Sequence, residues 1–169
     1  VTTATGQVGS AVVRALSQRG QACRALVRNA DQAFDLPHVE TVQGDFRDGA
    51  SLDAAMAGVS RVYLACRPLP IQPELEGHVI TAASRNGVGH VVKLSAYDAH
   101  DANPSDFRRW NGIAERRLME SGLAWTMLRP TAFHQSVDAA AIAARGELLS
   151  PQGDAASPFI DARDIADVA

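Results

Sequence analysis

The sequence predicts an α/β domain in which a mainly parallel sheet is covered by helices on both faces, and three observations support this fold class. Short apolar runs alternate with helical segments along all 169 residues. Most of these runs are continuous rather than alternating, as in strands buried on both sides. A β-branched run leads through Gly6 and Gly9 into a segment of good helix formers. Because strand and helix alternate, each connection should be a right-handed crossover between parallel strands.

Composition limits the kinds of partner that the chain can have. The hydrophobic share of 46% and the charged share of 21% are those of a soluble globular protein. The net charge is −3 and Lys and Arg form no run, so nucleic acid and anionic membranes are poor partners. No apolar stretch approaches the roughly 20 residues that span a bilayer. We expect a cytoplasmic protein that acts on a small molecule, and a homodimer or a regulatory protein partner is compatible with this composition.

The predicted elements form one domain over residues 1–169, since no repeat, low-complexity tract or linker interrupts them. After a first strand that ends before Gly6, strands are expected at 22–27, 39–43, 62–65, 90–94, 124–129 and 158–161. Helices are expected from the glycine turn to about Arg19, from a cap at Ser51 to Gly58, and over 75–86, 105–121, 133–144 and 162–169. This order predicts a Rossmann-type, doubly wound fold. The first strand and the last helix look incomplete, so we expect sequence to be missing at both ends.

The two cysteines are predicted to remain free thiols. Cys23 and Cys66 each lie in an apolar, strand-like run. If they belong to the second and fourth strands of a doubly wound sheet, the first strand separates them and prevents a disulfide. Buried thiols are typical of a reducing cytosol.

The glycine turn is the candidate binding site for a dinucleotide diphosphate. A helix start offers unpaired N–H groups and the positive end of a dipole, which suit a phosphate. Glycines let the main chain approach the ligand. The full fingerprint has a third glycine where this chain has Thr3, so a plain strand-to-helix turn is the alternative. The residues expected to line the diphosphate are Thr3, Thr5, Gly6, Gln7, Val8 and Gly9.

The residues at the ends of the second and third strands are the candidates for contact with the adenosine half of a dinucleotide cofactor. About 20 residues beyond the glycines, a carboxylate binds the ribose of NAD, whereas an arginine accommodates the phosphate of NADP. Arg28 occupies that place and favours NADP(H), while nearby Asp31 keeps NAD(H) open. Asp45 could accept a hydrogen bond from the adenine amino group with Phe46 packed beside it; an ordinary Asx-turn is the alternative.

The residues that follow the fourth and fifth strands are expected to contact the rest of the cofactor, as far as its nicotinamide. Ala65, Cys66 and Arg67 follow the fourth strand, and Ser95 and Tyr97 follow the fifth. The Ser95 hydroxyl is expected to face the nicotinamide, with a turn residue as the simpler reading. Other chemistries fit poorly, because the chain lacks a G-x-S-x-G elbow and the lysine of a P-loop. The histidines are scattered without the spacing of metal ligands, so no metal is expected.

Seven stretches together resemble the NmrA-like members of the atypical short-chain dehydrogenase/reductase superfamily. They lie in order along almost the whole chain, at 3–9, 24–28, 44–45, 94–96, 114–118, 121–130 and 159–166. The resemblance implies NADP(H) binding, in members that reduce quinones or related acceptors and in members that sense redox state. It also implies that the segment around Pro130 and Phe133 lines the nicotinamide. The small C-terminal substrate region of the family is largely absent, which predicts a truncated C-terminal part.

The chain departs from this superfamily at the catalytic positions. Typical members carry Tyr and Lys four residues apart on the helix after the fifth strand, where the Lys lowers the pKa of the Tyr. The corresponding residues here are Asn111 and Glu115, and the histidine that NmrA-like reductases often have at the first position is also missing. Asn can donate a hydrogen bond but cannot shuttle a proton. Tyr97 is the nearest phenol in the sequence.

The resulting candidate catalytic residues are Ser95, Tyr97, Asn111 and Glu115. Two hypotheses follow. The first is an oxidoreductase that transfers hydride from NADPH to a quinone or a similar small carbonyl acceptor. The second is a non-catalytic, NADP-sensing regulatory protein, which the absent Tyr/Lys pair favours. An NAD-linked epimerase or dehydratase of nucleotide sugars fits least well, because it normally needs that pair.

Overall fold

The computed structural model describes residues 1–137, 139–146, 156 and 158–169. Its main strands are β1 (Cys23–Val27), β2 (Val39–Gln43), β3 (Arg61–Leu64), β4 (His90–Leu94) and β5 (Ala124–Leu128). Every pairing between them is parallel, with β1 beside β2 and with β4 between β3 and β5. These five strands agree with the sequence prediction to within one residue at each end, whereas residues 1–6, where a first strand was expected, form no regular strand.

Residues 1 and 2 join the two groups of strands into one sheet. The Leu26 N–H donates to the Val1 carbonyl at 2.9 Å, and the Thr2 N–H donates to the Tyr63 carbonyl at 3.0 Å. The first residues thus lie between β1 and β3, and the chain winds outward from them in both directions. In such a sheet, the crevice for a ligand opens at the carboxyl ends of the strands, where the winding direction reverses. The Rossmann-type prediction is confirmed.

Helices cover both faces of this sheet: α1 (Gln7–Gln18), α2 (Gly49–Met56), α3 (Gln72–Arg85), α4 (Asp106–Glu120) and α6 (Ala162–Val168). A further short helix is α5 (Ala139–Arg145). Successive side chains of a strand point to opposite faces. Val62 and Leu64 accordingly pack in one core with α2, α3 and α4, whereas Tyr63 packs in another with α1 and α6. None of the described helices combines the length and the apolar character that a membrane span requires.

Three helix starts differ from the sequence prediction. α3 begins at Gln72 rather than at Leu75, because Pro73 is accommodated in the first turn of a helix. Ser51 was expected to cap α2, but Asp48 is the cap, and its Oδ1 accepts from the Ala50 and Ser51 N–H groups. Asp48 takes this role because it stands immediately before the first helical residue, so its carboxylate reaches the free N–H groups of the first turn.

The helix expected from Phe133 begins only at Ala139. Before it, β6 (Ala132–Phe133) pairs in parallel with β7 (Phe159–Ile160), and His134–Ser136 form a short 3-10 turn. The strand partner lies far along the chain, so local helix propensity could not reveal it.

Candidate cofactor and active site

The glycine turn presents bare main chain at the start of α1. Gly6 is the N-cap residue, and its N–H donates to the Thr3 carbonyl at 2.9 Å. Within the described part of the chain, no side chain caps this helix. The N–H groups of the first turn therefore remain available for an anion.

Gly9 is required by the packing of this turn, and Gly6 is less constrained. A Cβ atom on Gly9 would overlap the carbonyl oxygen of Thr3, whereas one on Gly6 would stand 3.2 Å from the same residue. Gly9 is also buried inside the first turn of α1. The close approach of helix and turn leaves the main chain as the only surface that a diphosphate can meet here.

Thr3 adopts the backbone conformation of the glycine that it replaces. Its φ is +47°, a left-handed value that β-branched residues rarely take. Its Oγ1 donates to the Ala65 carbonyl at 2.5 Å, and the Thr2 hydroxyl exchanges hydrogen bonds with the main chain of the same residue. These bonds tie the turn to the end of β3 and compensate the strain at position 3.

The end of β1 offers a free cation. Arg28 directly follows the strand and is exposed, and its carbonyl accepts from the Gln43 side chain at 3.1 Å. No described carboxylate lies within ion-pairing distance of its guanidinium. Asp31 lies in the short turn Ala30–Gln32, which Asn29 caps. The guanidinium is therefore available to a phosphate group.

The end of β2 forms the Asx-turn that was the alternative reading. Asp45 Oδ1 accepts from the Arg47 N–H at 2.8 Å, and the Asp45 N–H donates to Ser51 Oγ at 3.0 Å. Phe46 is half-buried against the core, and its carbonyl contacts the His78 ring at 2.8 Å. Both residues thus have a structural role, and adenine contacts at this edge stay a prediction.

The thiol after β3 is poorly ionised. Ala65 is buried, Cys66 is half-buried and Arg67 is exposed. Burial, and next the charge of Glu76, raise the pKa of the Cys66 thiol to about 11. Cys23, at the start of β1, is also free, as predicted, and burial raises its pKa too.

The chain segments after β4 and β5 continue to pair beyond the strands. The Ser95 N–H donates to the Leu128 carbonyl at 2.7 Å, and the Tyr97 N–H donates to the Pro130 carbonyl at 2.8 Å. Ser95 is buried, and its hydroxyl has no hydrogen-bond partner among the described residues. Phe133 packs partly into the core beside α6. This pairing brings Ser95, Tyr97 and Pro130 to the same edge of the sheet.

Tyr97 lies at the surface rather than in the interior. Its side chain is 59% exposed, and the Arg108 guanidinium stands 5.9 Å from its ring centroid. Arg108 also forms an ion pair with Asp98 at 3.3 Å. The phenol ring of Tyr97 therefore lies beside an exposed ion pair.

Asn111 and Glu115 are buried on the face of α4 that meets the sheet, and both take part in several hydrogen bonds. Asn111 Oδ1 accepts from Lys93 Nζ at 3.2 Å and from Gln72 Nε2 at 3.1 Å, and its Nδ2 donates to the Phe107 carbonyl at 3.0 Å. Glu115 accepts two hydrogen bonds from Arg129, at 2.9 and 2.5 Å. Neither position can therefore shuttle a proton, because Asn111 is an amide and Arg129 binds both carboxylate oxygens of Glu115.

A buried ion pair that the sequence reasoning missed lies behind Asn111. Lys93 Nζ donates to both carboxylate oxygens of Glu76, at 2.9 and 2.7 Å, and both side chains are 0% exposed. Two charged residues at otherwise apolar positions could have indicated this ion pair. Lys93 interrupts an apolar strand, and Glu76 stands four residues after Gln72 on the buried side of its helix. No group of three potential metal ligands occurs among the described residues.

Comparisons with known proteins agree with this geometry. The family described as NAD(P)H-binding matches residues 3–169. An NAD(P)H azoreductase of Xenophilus azovorans is 39% identical over 169 residues, which cover 98% of this chain and 59% of that protein. Quinone oxidoreductase 2 of Escherichia coli strain K12 is 30% identical over 161 residues, covering 91% and 56%.

Solved structures show the same fold. An NADPH-dependent quinone oxidoreductase of Escherichia coli, solved with NADPH, superposes with a TM-score of 0.87 at 28% identity and covers 98% of this chain and 60% of that one. A Citrobacter sp. triphenylmethane reductase, solved with NADP(H), gives 0.85 at 24% identity, covering 98% and 61%. The chain thus spans about three fifths of the length of these proteins.

Proposed function

Because the chain belongs to the NAD(P)H-binding family, as an NmrA-like atypical short-chain dehydrogenase/reductase, we propose that it forms the cofactor-binding part of a reductase that passes hydride from NADPH to a quinone or a similar small acceptor. The observation that carries this proposal is the glycine turn, where the main chain at the start of α1 is kept bare by the contact of Gly9 with Thr3. The similarity to named reductases supports the acceptor class.

In this proposal, each residue at the carboxyl edge of the sheet contacts a different part of the cofactor. The N–H groups at the start of α1 hold the diphosphate, together with Thr3 and Thr5. Arg28 grips the 2′-phosphate, because a guanidinium can donate two parallel hydrogen bonds to it. Asp45 and Phe46 bound the adenine pocket, and the segment 65–67 follows the cofactor between its two halves.

The nicotinamide end is formed by the segments that follow β4 and β5. Ser95 contributes an unpaired hydroxyl, while Pro130 and Phe133 supply apolar surface against the ring. Bound NADPH supplies the hydride. The protein orients the acceptor beside the nicotinamide, which accounts for a large part of the rate in such transfers.

Proton delivery does not require a Tyr/Lys pair for this acceptor class. A quinone oxyanion can take its proton from water, and hydrogen-bond donors such as Ser95 and Asn111 stabilise the developing charge. Glu115 is held by Arg129 and shapes the site rather than moving a proton. The engaged states of Asn111 and Glu115 also favour the second candidate, a non-catalytic NADP sensor with a protein partner.

Cofactor titration followed by an acceptor screen tests both candidates. NADPH and NADH binding are measured on the complete chain by nicotinamide fluorescence, and NADPH consumption is followed with benzoquinones, naphthoquinones and azo compounds. We expect NADPH to bind at least tenfold more tightly than NADH and to be consumed with a quinone. Tight NADPH binding with background consumption throughout the panel would favour the sensor, and absence of binding would refute both.

A further inference from the structure

We propose that Lys93 and Glu76 are positioning residues which fix the side-chain amide of Asn111 as a one-directional hydrogen-bond donor toward the acceptor. This inference rests on the proposed function and adds to it the means by which a chain without a Tyr/Lys pair holds a donor at the corresponding place. It starts from the buried polar layer formed by Gln72, Glu76, Lys93 and Asn111, in which no side chain is more than 2% exposed.

The two ends of an Asn side chain are nearly isosteric, so only its hydrogen bonds decide which end faces where. Asn111 Oδ1 receives two donors, Lys93 Nζ and Gln72 Nε2. If the amide turned over, its NH2 group would face the Lys93 ammonium and the Gln72 NH2 group, and its oxygen would face the Phe107 carbonyl. The observed orientation is therefore the only one that this layer permits.

The remaining donor capacity of the amide follows from this orientation. Nδ2 carries two N–H groups, and one of them donates to the Phe107 carbonyl within α4. The second N–H has no acceptor among the described residues, and the proposal assigns it to the ligand. Because Oδ1 is bound to an ammonium, the amide is polarised and its N–H groups become stronger donors. An acceptor oxygen that gains negative charge would benefit most from such a donor.

Lys93 can orient Asn111 in this way because the Glu76 carboxylate already balances the charge of its ammonium group. Nζ donates to both oxygens of Glu76 and also contacts the Leu94 carbonyl at 3.2 Å. Replacing a buried ion pair with apolar residues is often neutral or stabilising, so stability alone does not explain such a pair. The layer also lies near the carboxyl edge of the sheet, since Lys93 is the last residue but one of β4.

The first experiment compares Lys93→Met/Glu76→Met with the unmodified chain. The double variant removes both charges, so it leaves no unpaired ion in the core. We expect unchanged NADPH affinity within twofold, unchanged KM for a quinone and a kcat about tenfold lower. Adding Asn111→Ala to the double variant should lower kcat no further, although Asn111→Ala alone should lower it about tenfold. Additive losses, or a kcat equal to that of the unmodified chain, would overturn the proposal.

The second experiment observes the amide itself and does not depend on turnover. The side-chain NH2 signals of Asn111 are assigned in a nitrogen–proton correlation spectrum by their loss in Asn111→Asp. We expect slow solvent exchange in the unmodified chain, faster exchange in the double variant, and a shift of one N–H signal when a hydroquinone is added with NADP+. Equal exchange rates in both proteins, or no shift, would refute the positioning role even if the chain proves inactive.

Gln72→Met provides a variant that keeps the ion pair intact. It removes one of the two donors to Oδ1 and the hydrogen bond of Gln72 to Glu76, while Oε1 of Gln72 has no described partner to lose. The exchange of the Asn111 amide should quicken by less than in the double variant. If the double variant does not fold, an unchanged amide in Gln72→Met would refute the proposal. Failure of the proposed function would instead appear as absent NADPH consumption by the unmodified chain.

Discussion

The glycine turn and the buried polar layer meet the same sheet edge, but they are built by opposite means. At the turn, Gly6 and Gly9 remove side chains so that main-chain N–H groups face outward. In the layer, Lys93 and Glu76 are long charged side chains from which water is excluded. The first arrangement leaves its hydrogen-bonding groups open for a ligand, whereas the second satisfies almost all of them internally. In the proposed function, the glycine turn would thus bind the cofactor and the buried layer would orient a donor toward the acceptor.

The largest expected effect comes from removing one partner of the buried ion pair in the polar layer. Lys93→Met leaves the Glu76 carboxylate buried without a partner, and removal of one partner from a buried ion pair costs about 3–5 kcal/mol of unfolding free energy. Chemical denaturation with urea measures this loss. Lys93→Met/Glu76→Met is the control and should unfold close to the midpoint of the unmodified chain. Equal destabilisation by both variants would contradict the role of charge here.

At the glycine turn, Gly9→Ala should abolish binding while destabilising the fold less. The added methyl group overlaps the Thr3 carbonyl, so α1 must move away from the turn, at a cost of about 1–3 kcal/mol in a well-packed site. We expect NADPH affinity to fall at least a hundredfold in a fluorescence titration. Gly49→Ala, where a methyl group meets only the end of the Arg85 side chain at 3.6 Å, is the matched control. Unchanged affinity in Gly9→Ala would remove the turn from the cofactor site.

Arg28→Ala tests whether the cofactor site prefers NADPH to NADH because of this side chain. Loss of a charged hydrogen bond should weaken NADPH binding by about 1.5–3 kcal/mol and leave NADH binding nearly unchanged. Isothermal titration with both cofactors measures the difference. Arg14→Ala removes another exposed arginine, on α1, and should change neither affinity. Equal losses for NADPH and NADH in Arg28→Ala would exclude a contact with the 2′-phosphate.

The smallest expected effect concerns the thiol that lies between the two regions. Because the pKa of Cys66 is raised to about 11, its alkylation by iodoacetamide should be slow at neutral pH and accelerate about tenfold per pH unit below that pKa. NADP+ should protect Cys66 in the Cys23→Ser variant. It should not protect Cys23, which lies at the opposite end of the strands, in the Cys66→Ser variant. Protection of both thiols would indicate a general change of stability rather than a local contact.

The turn was predictable because its requirements are local. Gly6 and Gly9 are adjacent in sequence to the strand and the helix that they connect, so residue type alone indicated close main-chain approach. The same locality explains why the strand runs were placed correctly. What the sequence could not indicate is that Thr3 would take a left-handed conformation, because the bonds that compensate it come from Ala65.

The polar layer was not predicted because its members come from three separate elements. Gln72 and Glu76 lie on α3, Lys93 on β4 and Asn111 on α4. In the sequence, each of these residues is a polar residue in an apolar pattern. Only the hydrogen bonds among them explain why polar residues occupy these buried positions. The helix expected from Phe133 failed on similar grounds, since the partner strand of β6 lies at Phe159–Ile160.

The order of strands and helices, the glycine turn and the free thiols followed from the sequence, because periodicity and glycine geometry act between near neighbours. Tertiary structure alone decided that Asn111 and Glu115 are already engaged and that Lys93 pairs with Glu76. Those contacts join residues that are remote in the chain, and their strength depends on burial, which exists only once the helices have packed against the sheet.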